Sequence, residues 1–464
     1  MPDTAPPQNF YRAVGSPNLV EVQAANWNVY SANYQFSSTA IRPSTSGGSD
    51  GTNQGISITL YGPMPTNGLT VYYSVTGTAT NGVDYAYLPG SVTIYPPSDS
   101  ATVTIQPYWR ATNGFDPIAI LTVLPRTNYV VDPNNAVSVP IMDHFRTNPV
   151  PVVVSNVNQI VCVDYHAPSN SLLLSVNYSS GYPTNFGLLT SNATFAYWSG
   201  VSDVGNEVNM ATVKATTSGF FAGETFFTAA ASGIVGWVKA DGSLFNDSWL
   251  VLTNQADSGN SDVYVDRTGN FGNNLLVERN RANESLGDIF VVDAATNATL
   301  LATLPSQYLE GMLTLPNSTN YGPFAGMLLA GEELTNTLFT VTPAGAVQTW
   351  NIGVPGLGVT GQTLLIIPTN QTFYCQDTFS PGPNSYVREL SADFLRPHVG
   401  DILVLMCSEE STALNPQAIW ILHWNGASFD AWCLLFTDID DLGFQPSFYY
   451  VERGAFAPFY IPLP

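Results

Sequence analysis

Runs of four to eight apolar residues, rich in Val, Ile, Tyr and Phe, recur along this chain between short clusters of Gly, Pro, Asn and Asp. A 3.6-residue periodicity is nearly absent, so the pattern predicts strands and turns rather than helices. Residues 1–18 are Pro-rich and read as an extended segment. Between 19 and 145 the strands LVEVQA, GISITLYG, LTVYYSVTG, SVTIYP, ATVTIQPYW, PIAILTVLP and AVSVPIMD follow one another. Seven strands in one such stretch suit a single two-sheet sandwich. The polar segment RTNPVP (146–151), with two prolines, marks the domain boundary, and 146–158 reads as a linker that also supplies a closing strand.

From 159 to 464 the pattern repeats. A strand, a turn containing Gly or Asn, and a second strand recur as GIVGWVKADGSL (233–244), DIFVVDAATNATLL (288–301), TLFTVTPAGAVQTW (337–350) and AIWILHWNGASFDAW (418–432). The turns hold residues that tolerate positive φ in tight hairpins. Another shared strand precedes three of them: NLLVERN (274–280), MLLAGEE (327–333) and DILVLMCSEE (401–410). A period of about fifty residues with four short strands per unit predicts propeller blades. Five begin near 159, 207, 261, 309 and 361, the last stretched by an apparent insertion around SPGPNSYVRELSADFLRPH (380–398). A sixth would be closed by FYYVERG and FAPFYIPLP, with VPVVVSN (150–156) joining from the other end. Six blades are expected, and five or seven are compatible with the spacing. The fold class is therefore all-β, a sandwich followed by a β-propeller.

Composition narrows the function. Charged residues are 10% of the chain, lysine occurs only at Lys214 and Lys239, and the net charge is −22. A phosphate backbone or an anionic membrane would be repelled, so nucleic acid is excluded as a partner. No apolar run is long enough to insert in a membrane. Protein, including a second copy of the chain, or glycan remains as partner. The amide- and hydroxyl-rich composition leads us to expect a secreted or cell-surface protein. The start MPDTAPPQNF lacks the apolar core of a signal peptide, which suits a mature form. Cys162, Cys375, Cys407 and Cys433 show no C-x-x-C spacing, so zinc is not expected, and their pairing is left open.

The stretch GTATNGVDYAYLPGSVTIYPPSDSATVTI (77–105) resembles the Calx-β domain through Gly77, Thr78, Ala79, Gly82, Asp84, Tyr85, Gly90, Val92 and Ile94, and the closing strand VPIMD also fits. That resemblance implies calcium at one end of the sandwich, held here by Glu21, Asp84 and Asp143. Where the family carries an acidic run, this chain has Tyr108 to Phe115 with Arg110 among them, too few carboxylates for a tight site. The second half is similar, in repeat pattern alone, to six-bladed propellers of the NHL and SMP-30/gluconolactonase-like type.

Propeller geometry puts the acids that end each second strand on one face: Glu278, Glu332, Glu333, Glu409 and Glu410. Glu310 stands at the channel mouth, and Asp164, Asp266 and Glu452 lie on other inner strands. Crowded carboxylates in a funnel repel one another unless a cation or protons intervene. The expectation is thus a calcium site of Glu310, Glu332, Glu409, Asp266 and Asp164. Of the four histidines only His166, close to Asp164, suggests acid–base chemistry. Trp198, Trp237, Trp350 and Tyr321 could stack on sugars, although Trp237 and Trp350 equally suit the core between blades. The leading expectation is a non-enzymatic binding, adhesive or assembly module. The alternative is a metal-dependent hydrolase or lactonase acting at the channel mouth.

Overall fold

The computed structural model describes residues 18–24, 54–61, 65–108, 117–131, 135–141, 151–177, 185–202, 208–217, 219–228, 233–252, 262–281, 284–306, 308–332, 337–350, 361–379, 384–406, 418–435, 449–450 and 453–462. Among them no helix is long and apolar enough to cross a membrane.

Two four-stranded sheets form the N-terminal unit. One runs in the order Ser100–Ile105, Gln54–Tyr61, Asn18–Ala24, Tyr129–Val131, and the other Ser91–Ile94, Leu69–Thr76, Ile118–Val123, Ala136–Pro140. Alternation builds the core: Leu69, Val71 and Tyr73 are buried while the residues between them face outward. They meet Ile56, Ile58, Val103 and Ile105 of the facing sheet in one apolar cluster. The seventh strand, Tyr129–Val131, is three residues long and pairs in parallel with the first strand. It is too short for an alternation pattern to reveal.

The rest of the chain forms six sheets. The first four take their strands in sequence order from Cys162–Tyr197, Asn209–Val251, Val263–Leu304 and Leu309–Trp350. Within a blade, burial falls from the centre outward. Leu309–Thr314 and Leu328–Glu332 are wholly buried, whereas in Val347–Trp350 only Trp350 is buried, Val347 is partly so, and Gln348 and Thr349 are exposed. Continuous apolar runs therefore make the inner strands and mixed runs the rim. Tight hairpins join the strands. At Gly345 (φ +84) a Cβ would lie 2.2 Å from the Leu301 carbonyl oxygen, so the turn and the neighbouring blade both require glycine.

Blades five and six differ from a simple repeat. Gly361–Ile366 opens blade five, but the next two strands, Thr372–Phe379 and Asn384–Leu390, leave to form the middle of sheet six. The chain returns through a short helical turn capped by Ser391 and completes blade five with Ile402–Met406, Ala418–Trp424 and Phe429–Leu435. The segment expected as an insertion thus supplies the second strand of the sixth blade's central hairpin, Asn384–Leu390, and the helical turn that follows. Tyr449–Tyr450 and Gly454–Ala457 supply the inner edge of that blade, and Val152–Asn158 its outer edge.

Buried clusters lie between successive sheets all the way round. Leu173 and Phe186 meet Met210 and Phe227, and Phe226 and Val235 meet Val263 and Leu275. One cluster then joins blades three, four and five, from Leu276 through Leu329 to Trp420. Phe373 and Leu390 pack on Leu403 and Ile421, and Tyr374 and Ala455 pack on Val163 and Leu172. These contacts close a six-bladed β-propeller.

Phe373 tests the closure. It is fully buried, and its ring lies 2.4 Å from where a Cβ on Gly454 would sit. Phe373→Ala is expected to cost about 3–5 kcal/mol, read as a shift in the urea midpoint.

Candidate functional site

The inner strands surround a central cavity of about 60 Å³, touched by Cys162, Met210, Val263, Gly311, Leu364 and Gly454, one from each blade. Where the inner strands begin, Asp262, Glu310 and Arg453 meet. Arg453 donates to Asp262 Oδ2 at 3.0 Å from Nη1 and to Glu310 Oε1 from Nη2. Its backbone is fixed by Gln376, which takes the Arg453 N–H at 2.7 Å. Asp262 also accepts from the backbone N–H groups of Val263 (2.8 Å) and Gly311 (3.1 Å). Asn209 reaches Glu310 Oε1 at 3.5 Å.

Glu278 completes this centre from the second strand of blade three. It is fully buried, and among the described residues neither carboxylate oxygen has a hydrogen-bond partner. Burial first, then the charges of Asp262 and Glu310, push its carboxyl well above the usual glutamate range, against the pull of Arg453.

A second polar group occupies the other end of the inner strands. Asp164 is paired with Lys214 and accepts from the backbone N–H groups of Thr212 (2.7 Å) and Tyr165 (2.8 Å). Burial favours the neutral acid, but Lys214 and Arg267 outweigh it and the Asp164 carboxyl sits below its ordinary value. Burial lowers Lys214 to about 8, although Asp164 opposes the shift. His166 turns away from Asp164: its ring nitrogens contact Ser169 Oγ (2.7 Å) and the Gly223 carbonyl (3.2 Å). Burial holds it below its ordinary value, so it stays neutral and caps the following turn.

The acids expected to gather around calcium do not converge. Among the described residues, no three His, Cys, Asp or Glu side chains could hold a metal ion together. Asp266 lies at the opposite end of its strand from Glu310. It accepts four hydrogen bonds, from Thr268 N and Oγ1, Phe271 N and Asn273 N, at 2.8–3.0 Å. Glu332, one strand out from Glu310, accepts from Ser306 Oγ at 3.2 Å. The positive charge beside Glu310 is Arg453. In the sandwich, Asp84 accepts from Thr80 N at 2.6 Å and pins the turn between them. Glu21 lies on the strand Asn18–Ala24, opposite Thr59. Asp143 and Glu409 fall outside the described residues. Asp262 and Arg453 were not singled out by the sequence reading; the only hint is that each directly precedes an apolar strand near the channel.

A separate cleft lies between sandwich and propeller, with a volume of about 480 Å³. Its walls are Thr76, Gly77, Thr78, Ile118 and Ile120 on one side and Phe324, Trp350, Trp424, Ser428, Phe429 and Asp430 on the other. The two units touch here directly. Thr78 Oγ1 accepts from Ile118 N at 2.9 Å and donates to the Ala431 carbonyl at 3.3 Å, while Ile118 joins the buried cluster of blades three to five. Of the aromatics expected to stack on sugars, Trp350 is in this wall. Tyr321 is buried and donates to the Gly400 carbonyl at 3.0 Å. Trp237 donates to Glu224 at 3.1 Å, and Trp198 packs on His166.

No family model and no curated protein matches the sequence. Among solved structures, the chain is similar to virginiamycin B lyase from Staphylococcus aureus, at 10% identity and a TM-score of 0.33 over 79% of this chain and 99% of that one. A protein from Lactobacillus plantarum aligns at 10% identity and a TM-score of 0.35, covering 83% and 99%. A gluconolactonase from Xanthomonas campestris aligns at 11% and 0.25, covering 52% and 89%. At these scores no activity is transferred.

Two measurements check the ring centre. Arg453→Met leaves Asp262 and Glu310 buried without their cation and is expected to cost about 3–5 kcal/mol at neutral pH. Glu278 has the opposite character. Below its ordinary pKa of 4.5 the folded and unfolded chains both hold the proton. As pH rises further the unfolded chain releases it first, so stability falls until the folded carboxyl ionises. Glu278→Gln should therefore flatten the decline above pH 4.5 and exceed the parent in stability at pH 8, as read from urea titrations across pH.

Proposed function

We propose that this protein is a non-enzymatic, extracellular binding module whose recognition site is the cleft between sandwich and propeller. The observation that carries this reading is the cleft itself. At about 480 Å³ it falls in the range of small-ligand sites, and such sites favour domain junctions and aromatic linings with a few polar groups. Both units supply its walls, so each has a part in recognition. The propeller gives a closed, rigid platform and the sandwich gives the opposite wall.

The sandwich is read as Calx-β-like. Supporting this, Tyr85 of the Gly-x-Asp-Tyr segment is fully buried and Asp84 pins the adjoining turn. The location outside the cell rests on the amide-rich, lysine-poor composition. A hydrolase acting at the channel mouth has less in its favour, because Arg453 occupies the position beside Glu310 and Asp262 where a catalytic cation would be held.

A plug tests the site. Ala427 and Ser428 are exposed on the hairpin at the cleft rim, away from the core contacts. Ala427→Trp should leave the melting temperature of the free protein within a few degrees of the parent while abolishing ligand-induced stabilisation. A ligand at a hundred times its Kd contributes about 2.7 kcal/mol to the parent. Equal stabilisation of parent and plugged variant would move the recognition site off the cleft.

A further inference from the structure

The chemistry of the cleft, taken with the reading that it is the recognition site, identifies the class of ligand. Four aromatic rings form a continuous wall. Phe324 and Trp350 have centroids 4.5 Å apart, Trp350 and Phe429 4.8 Å, and Phe429 and Trp424 5.1 Å. Neighbouring rings are tilted by 38–58°, so they form a curved surface rather than a flat stack. The wall is set before any ligand arrives. Gly322 has φ +52, and a Cβ there would lie 2.4 Å from the Trp424 indole, so only glycine lets the indole pack against this turn. The hairpin carrying the rim is held by Asn425. Its Oδ1 accepts from Ala427 N (3.0 Å) and Ser428 N (2.9 Å), and its Nδ2 donates to Ser428 Oγ (3.2 Å) and Asp430 Oδ1 (3.0 Å).

The polar groups select among ligands. Among the described residues, the only charged side chain lining the cleft is Asp430, half-buried and an acceptor. No Lys or Arg among the described residues lines it, and the protein carries a net charge of −22, so phosphates, sulfates and carboxylates are disfavoured. An ionised carboxylate only accepts, so Asp430 favours a ligand that brings O–H or N–H donors. Proline-rich peptide, the other usual partner of an aromatic groove, brings mainly carbonyl acceptors. A neutral molecule with apolar C–H faces, donor hydroxyls at its edges and rings about the size of an indole satisfies every wall. The faces of aromatic rings are electron-rich and attract the weakly positive C–H groups of a pyranose.

We propose that the cleft binds a neutral saccharide, with pyranose faces against Trp424 and Phe429 and hydroxyls donating to Asp430. Asp430 and Trp424 are then binding residues, and Asn425 and Gly322 are positioning residues.

The test is calorimetric titration of the full chain with a panel of neutral oligosaccharides (β-1,4-glucan, xylan and mannan fragments) and, in parallel, a polyproline peptide. Melting temperatures of each variant establish folding. A saccharide that binds the parent at millimolar concentration or better, loses about tenfold in affinity with Asp430→Asn (~1.4 kcal/mol) and more with Trp424→Ala supports the proposal. Trp424→Phe, which keeps a ring face, should recover part of the loss, as a purely structural role for Trp424 would not require. If no saccharide binds, or if Asp430→Asn and Trp424→Ala bind it as the parent does, the proposal falls. Polyproline binding that Ala427→Trp abolishes would overturn the saccharide while leaving the cleft as recognition site. Saccharide binding untouched by Ala427→Trp would overturn both.

Discussion

A ring of sheets is stable only if its last blade closes on its first, and here the chain brings both flanks of the repeat region into one sheet to do so. Val152–Asn158 forms the outer edge of the sixth blade and Gly454–Ala457 its inner edge. Both flanks of the repeat region are thus paired into one sheet instead of being left as free strands, which removes a template for unwanted pairing. The same inner strand carries Arg453 into the centre. Closure of the backbone and neutralisation of Asp262 and Glu310 are therefore one event. Until the C-terminal strand is in place, the two carboxylates face each other across blades three and four without a cation. The charge pattern thus favours one registration of the last strand, because sliding it by one residue would move the guanidinium to the opposite face.

Much of the architecture was legible because period and burial report the same thing. An inner strand needs continuous apolar residues and a rim strand does not, so a unit of about fifty residues shows in the pattern before any pairing is known. Pairing is what the pattern omits. Thr372–Phe379 and Asn384–Leu390 follow blade five in the chain yet belong to blade six, since hydrogen bonding across space, not sequence order, assigns a strand to a sheet. The same limit governs the site. Glu310 was found because it starts an inner strand. Its partner lies 143 residues away, marked only by the apolar strand that follows it. Asp266 misled for the reverse reason: an Asp beside an inner strand reads as a channel ligand, but the following Arg-Thr-Gly turn draws its carboxylate into four local hydrogen bonds.

The cleft was not legible at all, because it is a property of how two domains meet. Ile118 belongs to a sandwich strand by pattern and to the propeller core by packing. At Gly77 (φ +102) a Cβ would lie 2.2 Å from the Ile118 carbonyl oxygen, so the strand start is held close to the loop that Thr78 ties to Ala431. The sequence marks Gly77, Thr78 and Ala79 as a family-like motif. The structure gives the first two a second role, as part of the wall opposite Trp350 and Phe429.

The distribution of cations connects the ring centre to the cleft. The chain has only 13 Lys and Arg against 35 Asp and Glu. Three of the arginines are buried and paired with acids: Arg279 with Asp288, Arg388 with Asp377, and Arg453 with Asp262 and Glu310. Lys214 is held by Asp164 at the far end of the channel. Each of these internal pairs withdraws a cation from the surface, where the remaining acids stand among amides and hydroxyls. A surface so depleted cannot attract anionic ligands by charge. Recognition must then come from shape, aromatic faces and hydrogen bonds. Those are what the walls of the junction cleft supply, so the placement of arginine inside the fold and the neutrality of the ligand we propose for the cleft trace to one scarcity of positive charge.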